Sequence, residues 1–284
     1  MALKSYALGD CSTADIKEYL TEKDIVMIPI ASMEQHGAHL PLATDTIQAE
    51  EIARRAAAKA HVLYTPCVWM GWSPQHMYAP GAGTGTITVR SRVLLDLWYD
   101  IGRSLIHHGF NKLVFVNNHG SNVKIIEPAL RQLRYDTGAF VCMSKLYAER
   151  YLGMIGDIME NPPEETPGWH ASELETAAVL AHDEGLVDMS KAVNQKVGRP
   201  AWFPESFIKL DGAPDVEFQG YQYFFFPTDH SDFTESGVIG NSLSGTVEKG
   251  EIAYERFSDH LAAALGEFET LDVNVHTREF RNRS

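Results

Sequence analysis

Along the 284-residue chain, short unbroken apolar runs alternate with longer stretches of helical period, starting at Ile25-Val26-Met27-Ile28-Pro29-Ile30. A short, β-branched run without a polar member is the pattern of a strand buried on both faces of a parallel sheet. Residues 47–60 are Ala-, Glu- and Arg-rich with apolar positions at helical spacing, and residues 62–69 return to strand character. Ser91 is placed to cap a helix whose Val93, Leu94, Leu97, Trp98, Ile101 and Leu105 form one stripe that stops at His107-His108-Gly109. A second buried strand is expected at 113–116, a helix over 127–136 with Pro128 near its first turn, and a further strand at 139–143. This alternation predicts right-handed βαβ crossovers and a layered α/β domain with a mostly parallel sheet.

Beyond residue 147 the pattern changes. Residues 156–168 are acidic and turn-rich, as in a loop or lid, and helices are expected over 171–184 and 251–268, the second announced by a break at Lys249-Gly250. Between them residues 194–241 are rich in Gly, Pro and aromatics and carry no clear period. No repeat or linker divides the chain, so the expectation is a single domain over 1–284 with an irregular aromatic-rich insertion at about 194–241.

Composition narrows the chemistry. With 24 Lys+Arg against 38 Asp+Glu the formal charge is −14, and no basic cluster interrupts it, which argues against nucleic acid or an anionic membrane surface as partner. Three scattered cysteines give neither a disulfide framework nor a CxxC zinc site. The first twenty residues show no apolar core of a signal peptide, and no run is long enough to span a bilayer. These features together predict a cytoplasmic protein acting on a small molecule.

Three clusters carry ligand-type side chains. The first follows the opening strand, Ser32-Met33-Glu34-Gln35-His36-Gly37-Ala38-His39-Leu40-Pro41-Leu42-Ala43-Thr44-Asp45. In extended chain Glu34 and His36 point the same way, beyond the carboxyl end of a strand, where α/β crevices open. Asp45 stands just before a helix, where it can either fold back to them or cap the helix. The second cluster, Asn117-Asn118-His119-Gly120-Ser121-Asn122, ends the 113–116 strand and brings His119 to the same edge if the two strands are neighbours. Two carboxylates and two imidazoles suit Zn²⁺, Mn²⁺ or Fe²⁺, and a carboxylate such as Asp45 can bridge two ions. Asn118, Gly120 and Ser121 suit a tight loop that hydrogen-bonds a substrate. The third cluster is Trp169-His170-Ala171-Ser172-Glu173-Leu174-Glu175-Thr176, where helical spacing pairs His170 with Glu173 and turns Glu175 elsewhere.

Together these clusters resemble the motifs of the creatininase (creatinine amidohydrolase) family: a strand ending in G/A-S-x-E-Q-H-G-x-H-L-P-x-x-T-D, then N-x-H-G-x-N, then H-A-x-E-x-E-T. Weaker echoes, at Gly71-Trp72-Ser73-Pro74-Gln75-His76, Gly83-Thr84-Gly85-Thr86, Ser236-Gly237-Val238-Ile239-Gly240 and Glu248-Lys249-Gly250, spread the likeness over most of the chain. The resemblance implies a three-layer α/β/α sandwich, often a homo-oligomer and specifically a hexamer. It also implies two divalent metals per chain, Zn²⁺ foremost with Mn²⁺ or Fe²⁺ as alternatives. By position Glu34 and His119 hold one ion, His36 the other, and Asp45 bridges. Creatininase itself has a metal-binding glutamate two residues after the second-motif histidine. Ser121 stands there in this chain, so the resemblance makes Glu175 the replacement ligand and Glu173 its rival, with a catalytic role if it is not a ligand. His170 is the implied proton-transfer residue, and Trp72, Ser73 and His76 join Asn118, Gly120 and Ser121 as substrate-side candidates. Creatininase also places a substrate tryptophan a few residues before the His170 position, whereas Trp169 is adjacent to it here.

The implied reaction is attack of a metal-activated hydroxide on a carbonyl of a small cyclic substrate, first a cyclic amide. The alternatives are C–C opening of a cyclic diketone of the inositol-breakdown type, lactone hydrolysis, or a non-catalytic metal-binding or maturation protein. Trp202, Phe203 and the 221–226 aromatic run are expected to cover a neutral ring.

Overall fold

The structure is a computed structural model that describes residues 3–77, 79–145, 153–160, 170–196, 198–208 and 215–281. Four strands, β1 (Ile25–Ile30), β2 (Leu63–Tyr64), β3 (Lys112–Asn117) and β4 (Phe140–Ser144), form a parallel sheet in the order β2-β1-β3-β4. β1 and β3 are buried at every position, and alternation of their side chains explains why both runs are unbroken. Ile25, Met27, Val114 and Val116 face α2 (Thr44–Ala60), α5 (Glu173–His182) and α6 (Val247–Glu269). Val26, Ile28, Leu113 and Phe115 face α1 (Thr13–Glu22), α3 (Ser91–His108) and α4 (Val123–Thr137). The result is a three-layer α/β/α sandwich.

The strand order reverses beside β1. From β1 the chain passes through α2 to β2 on one side, then crosses by α3 to β3 on the other and continues through α4 to β4. The carboxyl ends of β1 and β3 therefore lie together, with Ile30 paired to Asn117, and the loops after them diverge to leave a crevice.

Several boundaries differ from expectation for identifiable reasons. The 62–69 strand shortens to β2, because Pro66 has no N–H to donate, although Val68 still bonds the Pro29 carbonyl at 2.9 Å. Ser91 is the first residue of α3 and makes no cap bond. The turn at Gly120–Asn122 leads straight into α4, so that helix starts at Val123 and Pro128 falls inside it. α6 runs through Lys249-Gly250 without a break. Thr246 caps it by accepting from Lys249 N at 3.3 Å, and Gly250 lies where α6 crosses α5, a Cβ there falling 2.0 Å from the Ala177 carbonyl oxygen. The 194–241 region contains an antiparallel pair, β5 (Asn194–Gln195) with β9 (Gly240–Asn241), and an antiparallel sheet of β6 (Phe207–Ile208), β7 (Asp215–Phe218) and β8 (Tyr221–Phe225). Among the described residues no helix is long and apolar enough to cross a membrane.

Candidate metal centre and its pocket

The site is assembled from four points of the fold. After β1 the chain turns so that Glu34 N bonds the Leu42 carbonyl at 3.0 Å, which returns Asp45, in the first turn of α2, to Glu34 and His36. Ala43, not Asp45, is the N-cap of α2, and no side chain caps it. His119 follows β3. Its loop is pinned by Asn122, which donates to the Ala31 carbonyl at 3.0 Å and accepts from Trp72 N at 3.1 Å. Glu175 comes from the first turn of α5.

Helical spacing paired His170 with Glu173, and the structure reverses that. His170 is not helical but extended, bridging Ile239, and Ala171 adopts a left-handed φ of 52° before α5 begins. That turn brings Glu175 inward, where it accepts from Ala171 N at 2.5 Å and faces His36 Nε2 at 3.5 Å. The Glu173 carboxylate points the other way, accepting from Lys249 Nζ at 2.6 Å and from Glu160 N at 2.9 and 3.1 Å. Glu173 therefore anchors a loop and is kept from the centre, and neither a ligand nor a catalytic role is assigned to it.

Two donor sets share Asp45, Glu34–Asp45–His119 and His36–Asp45–Glu175, each with its ligand atoms within 4.8 Å of one another, and His170 joins Glu34 and His36 at the same spacing. His119 Nδ1 lies 3.0 Å from Asp45 Oδ2 and 3.4 Å from Glu34 Oε2, and His36 Nε2 lies 3.4 Å from Asp45 Oδ1. Both tautomers are fixed from behind: His36 Nδ1 donates to the Glu34 carbonyl at 3.0 Å and His119 Nε2 to the Trp72 carbonyl at 3.1 Å. Glu34 Oε2, His36 Nε2 and Asp45 Oδ2 are buried and make no hydrogen bond. Buried polar atoms without partners are costly, and here they converge on shared points, so the donors fit divalent cations of the Zn²⁺, Mn²⁺ or Fe²⁺ kind.

The charges respond accordingly. Burial opposes ionisation of Glu34, but His119 and His76 outweigh it and hold the carboxyl well below the usual range. Burial also opposes protonation of His36 and His119, yet Glu175 and Asp45 raise the first to about 10, and Glu34 and Asp45 raise the second to about 9. Burial pushes Glu175 up to about 7. His170 is held well below its ordinary value by burial and by His36 and His230.

Beside these groups, reached through Gln35 and His76, lies a cavity of about 410 Å³ whose walls also include Gly37, Gly83, His230 and Ser236. Of the substrate-side candidates only His76 lines it. Ser73 is fully buried behind His119, with its Oγ 2.5 Å from Ser32 Oγ and 3.3 Å from His119 Nε2, and Trp72 supplies the carbonyl that orients the same ring. Both thus act on a ligand rather than on the cavity. Ser121 accepts from Gln75 Nε2 at 3.0 Å, Gly120 is exposed, and Asn118 Nδ2 is a buried donor without a partner. Trp202 and the 221–226 run are not in the cavity wall: Trp202, Phe203, Phe207, Phe218, Phe224 and Phe226 pack on one another over the small sheet. Trp169 and 161–168 lie outside the described residues.

Two wall residues were not singled out from the sequence. Gln35, between the ligands, reaches His76 Nδ1 at 3.0 Å, and its Oε1 accepts from Gly37 N at 3.0 Å; a Cβ at Gly237 would fall 2.1 Å from that Oε1. Its place in the E-Q-H run was the available signal. His230 stands in an aperiodic stretch that offered none.

The chain is 28% identical to the creatinine amidohydrolase of Pseudomonas putida, covering 93% of this chain and 97% of that protein. It is 25% identical to the 3-dehydro-scyllo-inosose hydrolase of Thermotoga maritima, over 87% of this chain and 78% of the other. A manganese form of creatininase superposes with a TM-score of 0.74 at 26% identity, covering 94% of this chain and all of that one. The family profile described as creatinine amidohydrolase matches residues 9–265, and the chain thus belongs to the creatininase family of metal-dependent hydrolases.

Proposed function

We propose that this chain, as one cytoplasmic creatininase-like domain, hydrolyses a small cyclic substrate by attack of water on a carbonyl, in the first place at a cyclic amide C–N bond. The observation that carries the reading is the pair of donor sets sharing Asp45 next to an open polar cavity walled by Gln35 and His76. Glu34, Asp45 and His119 would hold one divalent ion and His36, Asp45 and Glu175 the other, Zn²⁺ suiting these donors and Mn²⁺ or Fe²⁺ being alternatives. Two such ions lower the pKa of a bound water towards ~7 and polarise the attacked carbonyl. His170 Nε2 donates to the Gln35 carbonyl at 2.6 Å, which leaves Nδ1 bare, 3.8 Å from Glu34 Oε1. Being neutral, it first accepts the proton that the attacking water gives up and then delivers it to the departing atom. Glu175 supplies the carboxylate that Ser121 cannot. The cavity's Thr84, Ser231, Thr234 and Ser236 suit a hydroxyl-bearing ring and favour, as second reading, opening of a cyclic diketone.

The test is metal content per chain by plasma mass spectrometry on wild type and Asp45→Ala, joined to a screen of cyclic amides, diketones and lactones. About two ions in wild type, fewer than one in the variant and turnover lost with them are expected. Equal metal counts in the two proteins would refute the bridged centre. Acid release without ammonia or amine would move the assignment to the second reading, and fully loaded protein inert on every class would mark a non-catalytic metal protein.

A further inference from the structure

The two carboxylate oxygens of Glu34 face opposite ways. Oε2 faces His119 at 3.4 Å, within the donor set shared with Asp45, whereas Oε1 faces His76 Nε2 at 3.1 Å and His170 Nδ1 at 3.8 Å. On that second side three imidazoles crowd together, their ring centroids 3.9 Å apart for His76–His230, 4.8 Å for His76–His170 and 4.7 Å for His170–His230. Each offers a ring nitrogen within 4.8 Å of the others. His230 Nδ1 is buried and makes no hydrogen bond, and the buried His76 Nε2 has only Glu34 Oε1 opposite it. Three rings whose nitrogens lie this close, with a carboxylate oxygen beside two of them and one buried nitrogen without a partner, have the composition of a cation site and not of a packed core.

We propose that His76, His170 and His230, with Glu34 Oε1 as fourth donor, form a third and weaker site for a borderline divalent cation such as Zn²⁺ or Co²⁺, on the cavity side of the two-ion centre. Three imidazoles are an established zinc donor set, and imidazole selects these cations over Mg²⁺ or Ca²⁺. The weakness has a structural origin in Gln35, whose amide nitrogen lies 3.0 Å from His76 Nδ1 and 3.2 Å from His170 Nε2. Turned about, its oxygen accepts an N–H from His76 Nδ1 and frees His76 Nε2, His170 Nδ1 being bare already, so an ion enters only as that amide turns and gives up its bond from Gly37 N. The site rests on the hydrolase reading as an inhibitory one, since an ion there takes the His170 nitrogen that carries the proton, and it does not depend on Asp45.

Stepwise addition of Co²⁺ to the metal-stripped full chain, followed by equilibrium dialysis and visible absorption, tests it. Wild type is expected to take up a third equivalent at least tenfold more weakly than the first two, and His230→Ala and His230→Gln to lose that equivalent alone. A wild type saturating at two equivalents, or a third that survives both substitutions, overturns the site. The X-ray absorption difference between two- and three-equivalent zinc samples of wild type needs no variant: scattering from three imidazoles is expected, and a shell of water and carboxylate alone overturns the proposal. Failure of the bridged centre is read separately, as loss of the first two equivalents being independent of Asp45.

Discussion

At the scale of single residues the centre is a set of carboxylates and imidazoles that balance one another when no cation is bound. His36 is raised to about 10 by Glu175 and Asp45 against its burial, and His119 to about 9 by Glu34 and Asp45, so at pH 8 both carry protons on the nitrogens that face the carboxylates. A metal ligand must give that proton up. Loading the stripped protein at pH 8 is therefore expected to release about three protons per chain, one from each ring and one from the water whose pKa the ions lower. At pH 7 Glu175, whose carboxyl is raised by burial to about 7, gives up part of a further proton while the bound water gives up less. Isothermal titration calorimetry in buffers of different ionisation enthalpy measures this directly, and release of fewer than one proton at pH 8 contradicts the assignment of both histidines. The same balance makes affinity fall as pH falls, because protons and cations compete for the same lone pairs.

At the scale of elements, the position of the centre depends on how closely α5 is held. α6 crosses α5 at Gly250, where a Cβ would fall 2.0 Å from the Ala177 carbonyl oxygen and 2.7 Å from Ala181 Cβ, and backbone cannot yield as a side-chain tip can. Gly266, in the same helix, has nothing within 4 Å of its Cβ position. Gly250→Ala is accordingly expected to destabilise the protein by about 2 kcal/mol through overpacking, and Gly266→Ala to stabilise it by roughly 0.5–1 kcal/mol through helix propensity. Chemical denaturation with a constant m-value separates the two; equal effects would mean that the crossing is not tight. This contact also shows what the sequence could and could not reveal. The runs of β1 and β3 were legible because burial on both faces removes every polar member. Gly250 reads as a break in any local scheme, since only the neighbouring helix explains it. The direction of Glu175 was hidden for a related reason, as it depends on the left-handed turn at Ala171 and not on spacing along α5.

At the scale of the whole molecule, the sequence clusters became one site through strand order, which no single segment encodes. β1 and β3 lie side by side, so that Glu34, His36 and His119 leave adjacent strand ends, while α2 and α5, both on one face of the sheet, contribute Asp45 and Glu175. His230 arrives from the region after β8, where nothing periodic marked it. Cations at this junction would tie the sheet to one helical layer, and their removal must be felt globally. A ligand at a hundred times its Kd that binds only the folded state adds about 2.7 kcal/mol, so chelation is expected to lower the melting temperature by several degrees and readdition to restore it. The stripped protein should also carry a distinct pH signature. His36 and His119 have folded values of about 10 and about 9, above the ordinary value of 6.5. Their contribution is thus complete below about pH 6.5 and is lost as pH rises through the folded values. Melting curves of stripped protein should therefore fall between pH 7 and pH 10, more steeply than those of loaded protein, in which the cations have already displaced these protons. Parallel pH profiles for the two forms would show that His36 and His119 do not exchange protons for metal.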